Sequence, residues 1–151
     1  MRLAAVALFF SSLITAQQMD LNYVRQNYKL ATQDKKTCKN ILQKMENQSN
    51  TGTALVYYGA LQSVWAKHAT NPIEKLSTFR KGKKNIDAAV QQKPDNIEIR
   101  FLRYSVQKES PGFLGYKSNM DDDRRFLQRN LQNADNLPLK DMIQQVLNSK
   151  S

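Results

Sequence analysis

Residues 71–107 read NPIEKLSTFRKGKKNIDAAVQQKPDNIEIRFLRYSVQ, and the punctuation of this stretch decides the fold class. Asn71 can accept a hydrogen bond from the free N–H groups that open a helix. Pro72 suits the first helical position, where its missing N–H costs nothing, and Glu74 stands where a capping box would close. Leu76, Phe79, Ile86 and Val90 then recur at helical spacing, which predicts a helix from Pro72 to about Gln92. Lys93-Pro94-Asp95-Asn96 stops it, because the proline ring disfavours helix at Lys93, and Asp95 or Asn96 can cap a new helix. That next helix, Ile97 to about Lys108, carries Ile97, Phe101 and Tyr104 on one side and Ile99, Leu102 and Val106 on nearly the opposite side. Apolar residues on two sides predict a central helix with neighbours on both.

The same period extends outward in both directions. Leu21, Val24, Tyr28, Ala31, Cys38, Leu42 and Met45 fall at spacings of three and four, interrupted by Lys35, so this segment is one long helix or two stacked pieces. Asn47 to Thr53 is polar and turn-rich. Thr53 can cap a helix ending near Thr70, with Leu55, Tyr58, Leu61 or Gln62, Trp65 and Ala69 as its stripe, and Gly59, Ala60 and Ala66 letting a neighbouring backbone close. Ser110 to Asn119 holds Pro111, Gly112 and Gly115, and its Phe113, Leu114 and Tyr116 predict a loop pinned to the core. Asp121 to Asp123 place negative charge at a helix start, where it complements the dipole, with Leu127, Leu131 and Ala134 facing inward. Leu137-Pro138 opens a last helix carrying Leu139, Met142, Ile143, Val146 and Leu147. The expectation is an all-α fold of five to seven helices, packed as stacked antiparallel hairpins.

The chain begins with a short positive region, Met1-Arg2, an apolar run from Leu3 to Phe10, and small or apolar residues to Ala16. Residues 1–16 therefore read as a signal peptide and residues 17–151 as a single α-helical domain, exported to a periplasmic or secreted location. No second apolar run approaches the roughly 20 residues of a bilayer span, so no transmembrane segment is expected after cleavage. The 23 basic and 13 acidic side chains become 22 and 13 once Arg2 is removed, a net charge of +9. Residues 51–109, with ten basic and five acidic side chains, hold most of the excess. Such a charge allows weak electrostatic contact with anionic envelope components, but no nucleic-acid motif accompanies it, and none is expected as a partner. Cys38 is the sole cysteine and sits on the apolar seam, so it reads as a small buried hydrophobe without a disulfide.

The stretch from Thr53 to Arg103 resembles tetratricopeptide-type helical hairpins through Gly59-Ala60 and Pro94-Asp95-Asn96. It departs from the repeat because Gly59 and Pro94 stand 35 residues apart, where that repeat has about 24. The run Glu98-Ile99-Arg100-Phe101-Leu102-Arg103, with Gln107 and Pro111-Gly112-Phe113-Leu114-Gly115-Tyr116, is similar to a family of small exported all-helical bacterial proteins of unknown function. That similarity covers roughly Tyr58 to Arg125 and implies a helical fold and export, with no catalytic activity to transfer.

Catalytic chemistry has little to work with: one His, one Cys, and no H-E-x-x-H, C-x-x-C, G-x-S-x-G or P-loop pattern, so no catalytic residue, cofactor or metal is expected. His68 reads as a helix-terminal surface residue, and Asp121 to Asp123 lack the spacing of a calcium loop. Two features are candidate ligand or partner sites. Lys83 falls inside the apolar stripe of its helix, where its charge must snorkel or find a partner such as Glu98 or one of Asp121 to Asp123. Arg100, Arg103 and Gln107 share one face, and two guanidinium groups lining a groove would hold a carboxylate or phosphate. The leading expectation is an exported non-enzymatic helical module that binds a protein or peptide in the cell envelope. The alternative is an enzyme or small anionic-ligand-binding protein using Lys83, Glu98, Arg100 and Arg103.

Overall fold

The computed structural model describes residues 19–150, and the expected signal peptide lies outside them. The described residues form seven α-helices and no strand: α1 (Leu21–Ala31), α2 (Lys35–Met45), α3 (Gly52–His68), α4 (Pro72–Gln92), α5 (Ile97–Glu109), α6 (Met120–Asn130) and α7 (Leu137–Asn148). Two 3₁₀ turns, Gly112–Leu114 and Leu131–Asn133, complete the order. The buried apolar side chains belong to one cluster. The fold is all-α, and no helix among the described residues is long and apolar enough to cross a membrane.

Side-chain caps set most of the helix starts. Asp20, Asp34, Asn71, Asn96 and Asn136 each accept a backbone N–H from the first turn of the helix they open. Asp34 resolves the first segment into two helices, since its carboxylate takes the Thr37 N–H at 2.7 Å and turns the chain between Ala31 and Lys35. Those Thr37 hydrogen bonds hold its carboxyl below the ordinary range. At the head of α4 the Asn71 side chain takes the N–H groups of both Ile73 and Glu74. Thr53 does not cap α3. The helix begins at Gly52 with Thr51 in the cap position, and the Gly52 N–H is taken by Gln92 Oε1 at 2.8 Å from the far end of α4.

That bond makes α3 and α4 an antiparallel hairpin, and a glycine pair fixes their separation. A Cβ added at Gly59 would lie 2.6 Å from the Gly82 carbonyl oxygen, and one added at Gly82 would lie 2.6 Å from the Gly59 carbonyl oxygen. The backbones therefore touch, and Ser63 Oγ adds a 3.0 Å bond to the Gly59 carbonyl. The seam of α4 runs through Phe79, Gly82, Ile86, Ala89 and Val90, while Leu76 remains 37% exposed at its start.

Helix α3 packs against α1, α2, α4 and α5 and buries Leu55, Val56, Tyr57, Ala60, Leu61 and Val64. A helix enclosed in this way has no single apolar stripe, which is why Tyr58 and Trp65 are only half-buried while Val56 and Tyr57 are inside. Both expected apolar sides of α5 are buried: Ile97, Phe101 and Tyr104 on one, Ile99, Leu102 and Val106 on the other. After α5 the loop is held by Tyr116, whose ring meets Phe79 edge-on at 6.0 Å. Leu114 is half-buried, but Phe113 is 88% exposed, so the expectation that it pins the loop is overturned.

Candidate functional site

The polar face of α5 is a set of ties between helices. Glu98, one residue into the helix, receives Arg25 of α1 through two hydrogen bonds of 2.7 and 2.8 Å and the Tyr57 hydroxyl of α3 at 2.8 Å. Desolvation, reinforced by the Glu98 charge, pushes the Tyr57 phenol well above its ordinary range, so it stays a donor. The Glu98 hydrogen bond in turn holds the Arg25 guanidinium protonated against partial burial.

Arg100 and Arg103, one turn apart, converge on Asp123 in the first turn of α6. Arg103 makes bonds of 2.6 and 2.8 Å to its two oxygens, and Arg100 Nε donates to the same carboxylate. Asp123 is fully buried, and burial of Arg103 opposes its charge, but the hydrogen bonds and charge of Asp123 overcome that and keep it protonated. Arg100 also donates to the Pro94 carbonyl at 3.1 Å and lies over the Phe126 ring at 4.4 Å. Gln107, the third member of the stripe, is buried with neither side-chain polar atom hydrogen-bonded.

Lys83 forms no ion pair with its expected carboxylate partners: Glu98 is held by Arg25, Asp122 by Arg125 and Asp123 by the two arginines, and Asp121 is exposed. Half-buried, Lys83 places Nζ 5.1 Å from the centre of the Tyr116 ring, where the π face replaces an anion. Tyr116 donates to Asp87 at 2.8 Å, and burial followed by the Asp87 charge raises its phenol far above normal. Lys83, Glu98, Arg100, Arg103 and Gln107 are thus not gathered around a common opening. The charged members of the α5 stripe meet internal partners, with Arg100 and Arg103 both bonded to Asp123.

Open space lies elsewhere, in a cleft of about 910 Å³ bounded by the ends of α1, α3 and α5, the start of α4 and the Gly112–Leu114 turn. Val64, Ala66, Phe79, Val106 and Leu114 make its apolar walls, and Pro72, Leu76, Pro111 and Phe113 its rim. Its serines present few free polar groups: Ser63, Ser105 and Ser110 each donate to the carbonyl four residues earlier. Tyr28 stands in the wall with its ring against Tyr57, and burial raises its phenol above the normal range. Charges of both signs border the space, Lys67 and Lys75 against Glu109. One hint of this site is legible in the sequence, the apolar Pro111–Leu114 turn, but its apolar side chains read as a loop pinned to the core.

Cys38 is buried, its Sγ 3.6 Å from the Leu61 carbonyl, and desolvation pushes the thiol up to about 11. His68 closes α3 half-buried, 5.8 Å from the Trp65 ring. No group of three or more His, Cys, Asp or Glu side chains among the described residues is placed to hold a metal ion. Comparison with protein-family models, curated proteins and solved structures finds no match to the chain.

Proposed function

We propose that the protein is an exported helical module whose cleft receives a short apolar segment of a partner polypeptide in the cell envelope. The cleft carries this reading: about 910 Å³ of space with apolar walls whose serine hydroxyls are already bonded to their own helices. Such walls reward apolar side chains and make few directional demands. Lys67, Lys75 and Glu109 at the border offer both charge signs, which suits the flanks of a peptide better than a ligand bearing one anionic group. Residues 1–16 supply the export half of the reading through their signal-peptide pattern. The alternative built on Lys83, Glu98, Arg100 and Arg103 is disfavoured, because Arg25, Asp123 and Tyr116 already engage those side chains.

A display library of random peptides selected on the full chain tests the proposal. Enriched peptides should share an apolar centre with charged flanks, and Ser105→Trp, which fills the cleft from a half-buried position of α5, should weaken them at least tenfold while helical circular dichroism is retained. Peptides that bind Ser105→Trp as well as the parent would place their site elsewhere and end this reading.

A further inference from the structure

Beside the cleft, the outer face of α4 combines two features that the peptide-binding reading leaves unused. Between Pro72 and Lys84 the chain has five basic residues and one acidic residue, Glu74. Arg80, Lys81 and Lys84 are exposed and border one shallow hollow of about 390 Å³ together with Ile73, Leu76 and Ser77. None of the ion pairs formed among the described residues involves these three cations. The hollow is also apolar at one end: Ile73 is 79% exposed and Leu76 37%. Leu76 belongs to the cleft rim as well, which places Phe113, 88% exposed, next in line. Two large apolar side chains of α4, Ile73 and Leu76, are therefore held out to solvent beside a run of unpaired cations, with Phe113 across the rim that Leu76 shares.

We infer that this face of α4 docks on the surface of a bilayer rich in anionic lipid. The opposite side of α4 is closed against α3 through Phe79, Gly82 and Ile86, so the exposed face is fixed in orientation and cannot turn inward. Cations at such a surface meet the phosphate headgroups, and apolar side chains among them enter the boundary between headgroup and acyl chain. A soluble polyanion would engage the cations but has no use for Ile73. That residue separates a lipid surface from heparin-like or nucleic-acid partners. Ile73 and the three cations lie outside the cleft, whereas Leu76 and Phe113 are shared with its rim.

Sedimentation of the full chain with vesicles of phosphatidylcholine, or of phosphatidylcholine mixed equally with phosphatidylglycerol, reads this docking. The protein should favour the phosphatidylglycerol vesicles, and the preference should fall steeply with salt. Neutralising a cation at the surface lowers partition about fivefold, so Arg80→Gln, Lys81→Gln and Lys84→Gln together should lower it roughly a hundredfold. Ile73→Ser should lower it about tenfold without changing binding to soluble heparin. Ser105→Trp should leave vesicle binding unaltered, whereas peptide selection depends on that position and not on Arg80, Lys81 and Lys84. All of these substitutions except Ser105→Trp fall on exposed side chains of a packed helix, and circular dichroism checks that each variant is folded. Equal partition of the parent and the triple variant would overturn the inference. So would loss of heparin binding in step with vesicle binding in Ile73→Ser, or loss of vesicle binding in Ser105→Trp.

Discussion

Asp123 is the one carboxylate among the ion pairs of the described residues that serves two guanidinium groups at once. A fully buried carboxylate facing two guanidinium groups is stable only as a set, and removing one member leaves the others charged and dry. Asp123→Asn should cost about 3–5 kcal/mol in urea unfolding. Its neighbours Asp121 and Asp122 are exposed, and their replacement should be close to silent. The sequence carried a usable signal here, since Leu127 stepped back by four residues lands on Asp123, but a run of three aspartates at a helix start reads first as dipole charge. Other desolvated titratable groups set the response to alkali. Cys38 is raised from 9.0 to about 11, and Tyr28, Tyr57 and Tyr116 are raised above 10.0, all chiefly by desolvation. A raised value means that the fold favours the protonated form. This contribution is intact below about pH 9, where the unfolded thiol is still protonated, and is lost as pH climbs through 9 to 11 and beyond. Phenolate absorbance during an alkaline titration should show Tyr57 and Tyr116, both buried, ionising only as helical signal disappears. A thiol reagent at neutral pH should label Cys38 only at the rate of unfolding.

At the scale of elements, the α3–α4 hairpin depends on two missing side chains. Gly59→Ala or Gly82→Ala would force the helices apart by the width of a methyl group, and each should destabilise the protein by about 3 kcal/mol while leaving total helicity nearly unchanged. Because both act at one contact, the double variant should cost less than the sum, which a double-mutant cycle of thermal or urea unfolding measures. Caps are worth less: Asn96→Ala removes the bond to the Ile99 N–H and should cost about 1 kcal/mol. Helix bounds in residues 71–109 were readable because Asn, Pro and apolar period agree there, and α4 runs from Pro72 to Gln92 as the sequence predicts. The start of α3 was not readable, because Thr51 and Thr53 are equivalent as local signals and a bond from Gln92, 40 positions away, completes the actual start. Gly59 among small neighbours is legible as a place where a backbone can close, but Gly82 stands among charged residues and its role exists only opposite Gly59.

Across the whole molecule, ion pairs join parts of the chain that are far apart in sequence. Glu98 holds Arg25, 73 positions earlier, and Tyr57, 41 positions earlier, so α5 is the common anchor of α1 and α3. Glu98→Gln should loosen α1 before the core and raise hydrogen exchange of the α1 amides about tenfold, with α3 and α4 little affected. The candidate site was hardest to foresee at this scale. Arg100, Arg103 and Lys83 were legible as misplaced charges, but whether such a charge serves a ligand or a neighbouring helix depends on where Asp123 and Tyr116 arrive. The cleft depends on five separate segments meeting, and no window of sequence contains it. The glycine contact also has a kinetic consequence. All the residues that make it lie between Gly52 and Gln92, joined by one short link, so the hairpin can close with no help from the rest of the chain. It should be the first tertiary contact to form, complete once Gln92 is free to fold. Gly59→Ala would then slow folding by nearly its full equilibrium cost and leave the unfolding rate almost unchanged, whereas Asp123→Asn would act mainly by speeding unfolding.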